Sequence, residues 1–127
     1  MTRAALQILL VEDEPSLRRV LARGLAMHGF EVTAAELPEE AIAHVRSGSR
    51  TFDAIVSDLD LPVMDGIELL TKLRAAGCAA PFLLCTGFLH DDGRARAKGA
   101  GVAAILTKPI LAADIAKAVH TAVARTS

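Results

Sequence analysis

Five short aliphatic runs punctuate this chain, and each is followed by a stretch whose apolar residues recur at helical spacing. The runs are Ile8–Val11, Glu31–Ala34, Ala54–Ser57, Pro81–Cys85 and Val102–Leu106. Their length and aliphatic content predict strands. Leu17, Val20, Leu21 and Leu25 fall on one face of a first helix, with Pro15 suited to its first position. Ala41, Ile42 and Val45 mark a second helix, ended by the "SGSR" segment, and Ile67, Leu69, Leu70 and Leu73 a third, closed by Gly77. Leu111, Ile115, Val119 and Val123 form an i, i+4 series for the last. The fourth, "HDDGRARAKGAG", has good helix formers but only small apolar residues and several glycines, which predicts a short helix.

Strict alternation of strand and helix predicts parallel βαβ units with right-handed crossovers. The near-continuous apolarity of the middle strands predicts a sheet covered on both faces, a three-layer α/β sandwich. With 127 residues, 52% hydrophobic and 23% charged, the chain reads as one globular domain over 1–127, its core running from about 7 to 124. Lys plus Arg is 14 against 15 for Asp plus Glu, so there is no basic surplus for direct nucleic-acid or membrane-surface binding. No apolar run approaches the roughly 20 residues that cross a bilayer. The "MTRAALQILL" start is too short and too soon acidic for a secretion signal, which makes the cytoplasm the expected compartment. Cys78 and Cys85 then read as reduced thiols, and His28, His44, His90 and His120 share no metal-ligand spacing.

In an open parallel sheet the functional crevice lies beyond the carboxyl ends of the strands. Glu12 and Asp13 follow the first strand, with Glu14 next; Asp58 ends the third, with Asp60 two residues on; Thr86 and Gly87 follow the fourth; Lys108 and Pro109 follow the fifth. Several carboxylates converging on one edge need a counter-charge, and one lysine is too few. A hard cation solves this economically, since Mg²⁺ takes one or two carboxylates plus water and phosphate. The plainer alternative is that Glu12, Asp13 and Glu14 open helix one, where negative charge meets the helix dipole. Likewise the Thr86 hydroxyl either caps its own backbone at the strand end or binds a ligand. Met64 reads as packing, and Asp65-Gly66 as a turn and helix start.

The motifs "LLVEDEP", "VSDLDLPVMDGIEL", "LLCTG" and "ILTKP", in this order and at strand ends, resemble those of the receiver domains of two-component response regulators, over about Gln7 to Ala124. The resemblance implies a doubly wound (βα)5 flavodoxin-like fold with strand order 2-1-3-4-5. It implies a phosphoacceptor signalling domain, not an enzyme, with Asp58 taking a phosphoryl group from phosphohistidine on a sensor histidine kinase or histidine phosphotransfer protein. Asp13 and Asp58 would ligate Mg²⁺, or Mn²⁺ in its place, with Glu12 acting through water and Asp60 through its backbone carbonyl. Lys108 would neutralise phosphoryl charge and Thr86 would switch, drawing the next loop inward, while a side chain at Gly87 would obstruct the phosphate. Pro109 would follow a cis bond that aims Lys108 inward. A downstream protein partner is implied on the face of the fourth helix, fifth strand and fifth helix, where homodimers of the family also form.

Three residues depart from the pattern. Ile105 stands where the family commonly carries an aromatic rotor. Phe88, just after the switch residue, has the bulk to shield a phosphoryl group from water. Asp60 adds a carboxylate beside the site. Three competing readings are a receiver-like scaffold that no longer takes phosphate, a haloacid-dehalogenase-type phosphohydrolase using the Asp58-Leu59-Asp60 pair, and a nucleotide-binding Rossmann domain. The second lacks a cap domain and a later acidic cluster. In the third, "VEDEPS" would repel the phosphate that a glycine-rich turn should welcome. The native-looking "MTRAALQ" start points to a free-standing or N-terminal receiver, with excision from a hybrid histidine kinase or a larger regulator as the alternative.

Overall fold

A computed structural model describes residues 5–126, so the first four residues of the "MTRAALQ" start lie outside the described residues. The elements alternate without exception: β1 Gln7–Val11, α1 Pro15–Met27, β2 Glu31–Ala35, α2 Pro38–Ser47, β3 Ala54–Asp58, α3 Gly66–Ala75, β4 Phe82–Thr86, α4 Asp91–Gly99, β5 Ala104–Thr107 and α5 Ala112–Thr126. All neighbouring strands pair in parallel, in the order β2-β1-β3-β4-β5, the expected flavodoxin-like arrangement.

Side chains alternate across a strand, so consecutive apolar residues serve opposite cores. Ile8, Leu10, Val56 and Leu83 pack with Leu21 and Leu25 of α1 and with Ile115 and Val119 of α5. Leu9, Val11, Ile55, Phe82 and Leu84 pack with Leu69, Leu70 and Leu73 of α3 and with Ala97 of α4. Burying each large side chain contributes about 1.5–3 kcal/mol, which is why the polar residues of β1, β3 and β4 are confined to the strand ends: Gln7, Ser57, Asp58 and Thr86. Met64 packs at the edge of the second core, as expected. α1 and α5 meet where a Cβ on Gly24 would fall 2.5 Å from that of Ala112.

Two apolar residues do not pack as their spacing predicts. Val20 is 66% exposed: it lies roughly 100° round the helix from the centre of the Leu17, Leu21 and Leu25 stripe. Leu111 is 69% exposed because it precedes α5 as its start. Its carbonyl accepts the Asp114 and Ile115 amides, and the Asp114 carboxylate accepts the Leu111 amide at 3.2 Å. The fifth strand begins at Ala104, two residues later than its apolar run. α4 is a nine-residue helix that buries only Ala97, as its composition foretells. Among the described residues, no helix is long and apolar enough to cross a membrane.

Candidate functional site

The carboxyl ends of β1, β3, β4 and β5 bring the predicted residues to one edge, and the β1–α1 loop divides its three carboxylates between two jobs. Glu14 takes the helix: its carboxylate accepts the amides of Ser16 at 3.1 Å and Leu17 at 2.6 Å, capping α1 ahead of Pro15. Those amide bonds hold its carboxyl below the usual range. Glu12 and Asp13 turn the other way. Carboxylate oxygens of Glu12, Asp13 and Asp58 all lie within 4.8 Å of one another. The same acidic triplet thus supplies a helix cap and two of the three clustered carboxylates.

Asp58 is 6% exposed at the end of β3 and Glu12 is 3% exposed. The Lys108 ammonium sits 3.0 Å from Asp58 Oδ2 and 3.6 Å from Glu12 Oε1. Burial raises the Glu12 carboxyl above its ordinary value and the charge of Asp58 adds to this, although the Glu14 amide and Lys108 oppose it. Burial works against the Lys108 charge, but the contacts with Asp58 and Glu12 outweigh it, and its value rises. One ammonium facing three carboxylates leaves uncompensated negative charge on hard oxygen donors. That donor set fits a small divalent cation.

Around this centre the other expected residues take distinct positions. The Lys108–Pro109 peptide is cis, as the motif implied. Thr86 is 2% exposed, and its hydroxyl donates to the Phe88 carbonyl at 3.2 Å, so here it caps its own backbone. The Asp60 amide donates to Asp58 Oδ1 at 3.3 Å, while its side chain is exposed. A Cβ on Gly87 would meet nothing within 4 Å. Phe88 is 72% exposed, stands edge-on to His90 with centroids 4.7 Å apart, and is absent from the walls of the cavity beside Asp58. Ile105 is half-buried against the second core, across from Leu84.

Four features escape sequence reasoning. Arg18 donates to the backbone carbonyls of Glu12 at 2.9 Å and Asp13 at 3.4 Å. Gly66 is required by packing: a Cβ there would lie 2.5 Å from the Asp58 carbonyl oxygen and 2.9 Å from Leu84. Asp65 caps α3 through the Glu68 amide at 2.8 Å, the helix start its sequence predicts, but its pairing with Arg96 of α4 at 2.8 and 3.2 Å was not foreseen. Beneath the carboxylates lies a cavity of about 460 Å³ walled by Leu10, Leu17, Leu21, Val56, Cys85 and Ile110. The available signals were faint: a long basic side chain one turn into α1, and the glycine already read as a turn.

The site's order of motifs recurs in known proteins. The family model of the response regulator receiver domain matches residues 8–120. The transcriptional regulatory protein PrrA of Mycobacterium leprae is 34% identical over 110 residues, covering 86% of this chain and 46% of that protein. The chain spans about half the length of the curated relatives it matches. The Vibrio cholerae chemotaxis protein CheY4 superposes with a TM-score of 0.85 at 28% identity, covering 94% of this chain and 99% of its own. A Burkholderia pseudomallei response regulator, solved with a phosphorylated aspartic acid, calcium ion and citrate, superposes at 0.81 with 27% identity, covering 95% of this chain and 70% of its own. With five parallel strands in the order of these structures and a matching sequence family, the chain belongs to the response regulator receiver domains, the signal-receiving modules of two-component systems.

Proposed function

We propose that Asp58 is the phosphoacceptor of this receiver and that Glu12, Asp13 and Asp58 hold the divalent cation its chemistry needs, Mg²⁺ or Mn²⁺. The observation that carries this is the cluster of three carboxylates within 4.8 Å, facing a single lysine 3.0 Å from Asp58. A relative with a phosphorylated aspartic acid and a calcium ion supports the same reading. Asp13 and Asp58 would hold the cation directly, with Glu12 acting through water and the backbone carbonyl of Asp60 as a further donor. The cation supplies Lewis-acid stabilisation of phosphoryl oxygens and cancels repulsion between phosphate and the acidic cluster.

An Asp58 carboxylate oxygen attacks the phosphorus of a phosphohistidine on a sensor kinase or phosphotransfer protein. The P–N bond breaks and the imidazole leaves. Lys108 stabilises the charge that gathers on the equatorial oxygens. Thr86 then exchanges one acceptor for another, releasing the Phe88 carbonyl and donating to a phosphoryl oxygen, which draws the loop through Gly87 and Phe88 inward. Gly87 leaves that path open, Pro109 aims Lys108, and the bulk of Phe88 shields the acyl phosphate from water once the loop is in. With Ile105 in place of an aromatic ring, the shift of the loop itself transmits the signal to the face of α4, β5 and α5, where a downstream protein or a second copy docks. The domain, residues 1–127, works as a cytoplasmic phosphoacceptor without turnover of a substrate.

Intact-protein mass after incubation with acetyl phosphate tests this. Wild type gains one phosphoryl group only when Mg²⁺ is present, and Asp58→Asn gains none. A folded wild type that is never modified, by acetyl phosphate or by a kinase, would instead make this chain a phosphate-independent scaffold.

A further inference from the structure

The β1–α1 loop has a second requirement besides its counter-charge: Glu12 and Asp13 must be held in place without their carboxylates being consumed. Among the described residues the side chain that meets this is Arg18. It lies on the first turn of α1, half-buried, and reaches back over five and six residues to donate to the Asp13 and Glu12 carbonyl oxygens. It forms no ion pair among the described residues, whereas Lys108 and Arg96 both do. A charged guanidinium donating to a neutral carbonyl makes a strong bond. Bound to a carboxylate instead, the same group would compete with the cation for its ligand.

We propose that Arg18 is a positioning residue for the divalent cation, fixing the backbone that carries Glu12 and Asp13 without itself occupying their carboxylates; this rests on the cation site proposed above. Two physical effects pull in opposite directions. A positive side chain near the site repels a cation, so its removal should tighten binding if charge alone matters. Loss of the tether frees two ligand-bearing residues to move, so its removal should weaken binding if positioning dominates. The structure favours the second, because both hydrogen bonds go to the two ligand residues themselves. Partners that orient metal ligands typically change affinity by about 10- to 100-fold.

The test is Mg²⁺ titration of the full chain by isothermal calorimetry, in wild type, Arg18→Ala and Arg18→Gln, with circular dichroism as the check on folding. About tenfold weaker binding in the variants is expected. The Mg²⁺ concentration that half-saturates acetyl phosphate labelling should rise by the same factor, with the labelling rate at saturating Mg²⁺ little changed. A general loss of structure would instead lower that rate as well. If Arg18→Ala does not fold, Arg18→Gln decides by the same criterion, since it keeps helix propensity and a polar side chain but loses the charge and the reach of the guanidinium. Equal or tighter Mg²⁺ binding in a folded variant overturns the proposal. Absence of Mg²⁺ binding in wild type would overturn it together with the cation site on which it rests.

Discussion

At the scale of single residues, the site is shaped as much by what is absent as by the groups that react. Asp58 is buried at the end of a central strand, and its carbonyl faces the backbone of Gly66 so closely that no side chain fits between them. Gly66 also donates its amide to the Leu59 carbonyl at 2.8 Å, closing the loop that follows β3. Gly66→Ala therefore has to push apart β3 and the start of α3. Overpacking of this kind costs about 1–3 kcal/mol, and urea unfolding should show a loss in that range along with slower Mg²⁺-dependent labelling of Asp58. Gly87, with open space around it, should accept alanine without comparable loss of stability. The two glycines look alike in the sequence and differ only in what stands beside them.

At the scale of elements, α4 is the helix held least by the core, since Ala97 is its one buried side chain among the described residues. The Arg96–Asp65 pair ties it to the start of α3, and Asp65 in turn sits beside Gly66 and hence beside the end of β3. Burial opposes the charge of Asp65, but Arg96 and the Glu68 amide outweigh it and hold its carboxyl below the ordinary 3.8. A carboxyl with a lowered folded value stabilises above its unfolded value and loses that contribution as pH falls through the folded one. Half of the Arg96 side chain is exposed, so solvent screening keeps the gain to about 0.2–1 kcal/mol. Comparing Arg96→Ala with wild type by urea unfolding should show that difference at neutral pH and its disappearance as the pH falls below 3.8. Faster amide exchange confined to α4 should accompany it.

At the scale of the whole molecule, the alternation of strands and helices and the edge where the motifs meet were legible in the sequence because each motif ends an apolar run, whereas the strand order came from the resemblance to receiver domains. A strand end is a local signal, and "ILLVED", "IVSD", "LLCT" and "ILTK" each carry one. The pairing of Asp65 with Arg96 spans 31 positions, and no periodicity records a contact of that kind. Arg18 was hidden for a different reason: an arginine on an outer helix reads as a solvated surface group, and its turn back toward the loop is set by tertiary geometry. Val20 and Leu111 misled because helical spacing tells which residues share a face but not how wide the buried part of that face is. The same two-sided packing that covers the sheet also buries Cys85, in the cavity wall and across from Asp58 on the neighbouring strand, 5% exposed, its thiol pushed up to about 12 by burial and then by the neighbouring carboxylate. This chain has no tryptophan or tyrosine to report its folding by fluorescence, yet it carries a native chemical clock. With half-buried Cys78 replaced by serine, alkylation in native buffer can proceed only as fast as the sheet opens. It should run about a thousandfold or more slower than that of an unfolded peptide thiol, so its rate times the opening of the β3–β4 pair that carries Asp58.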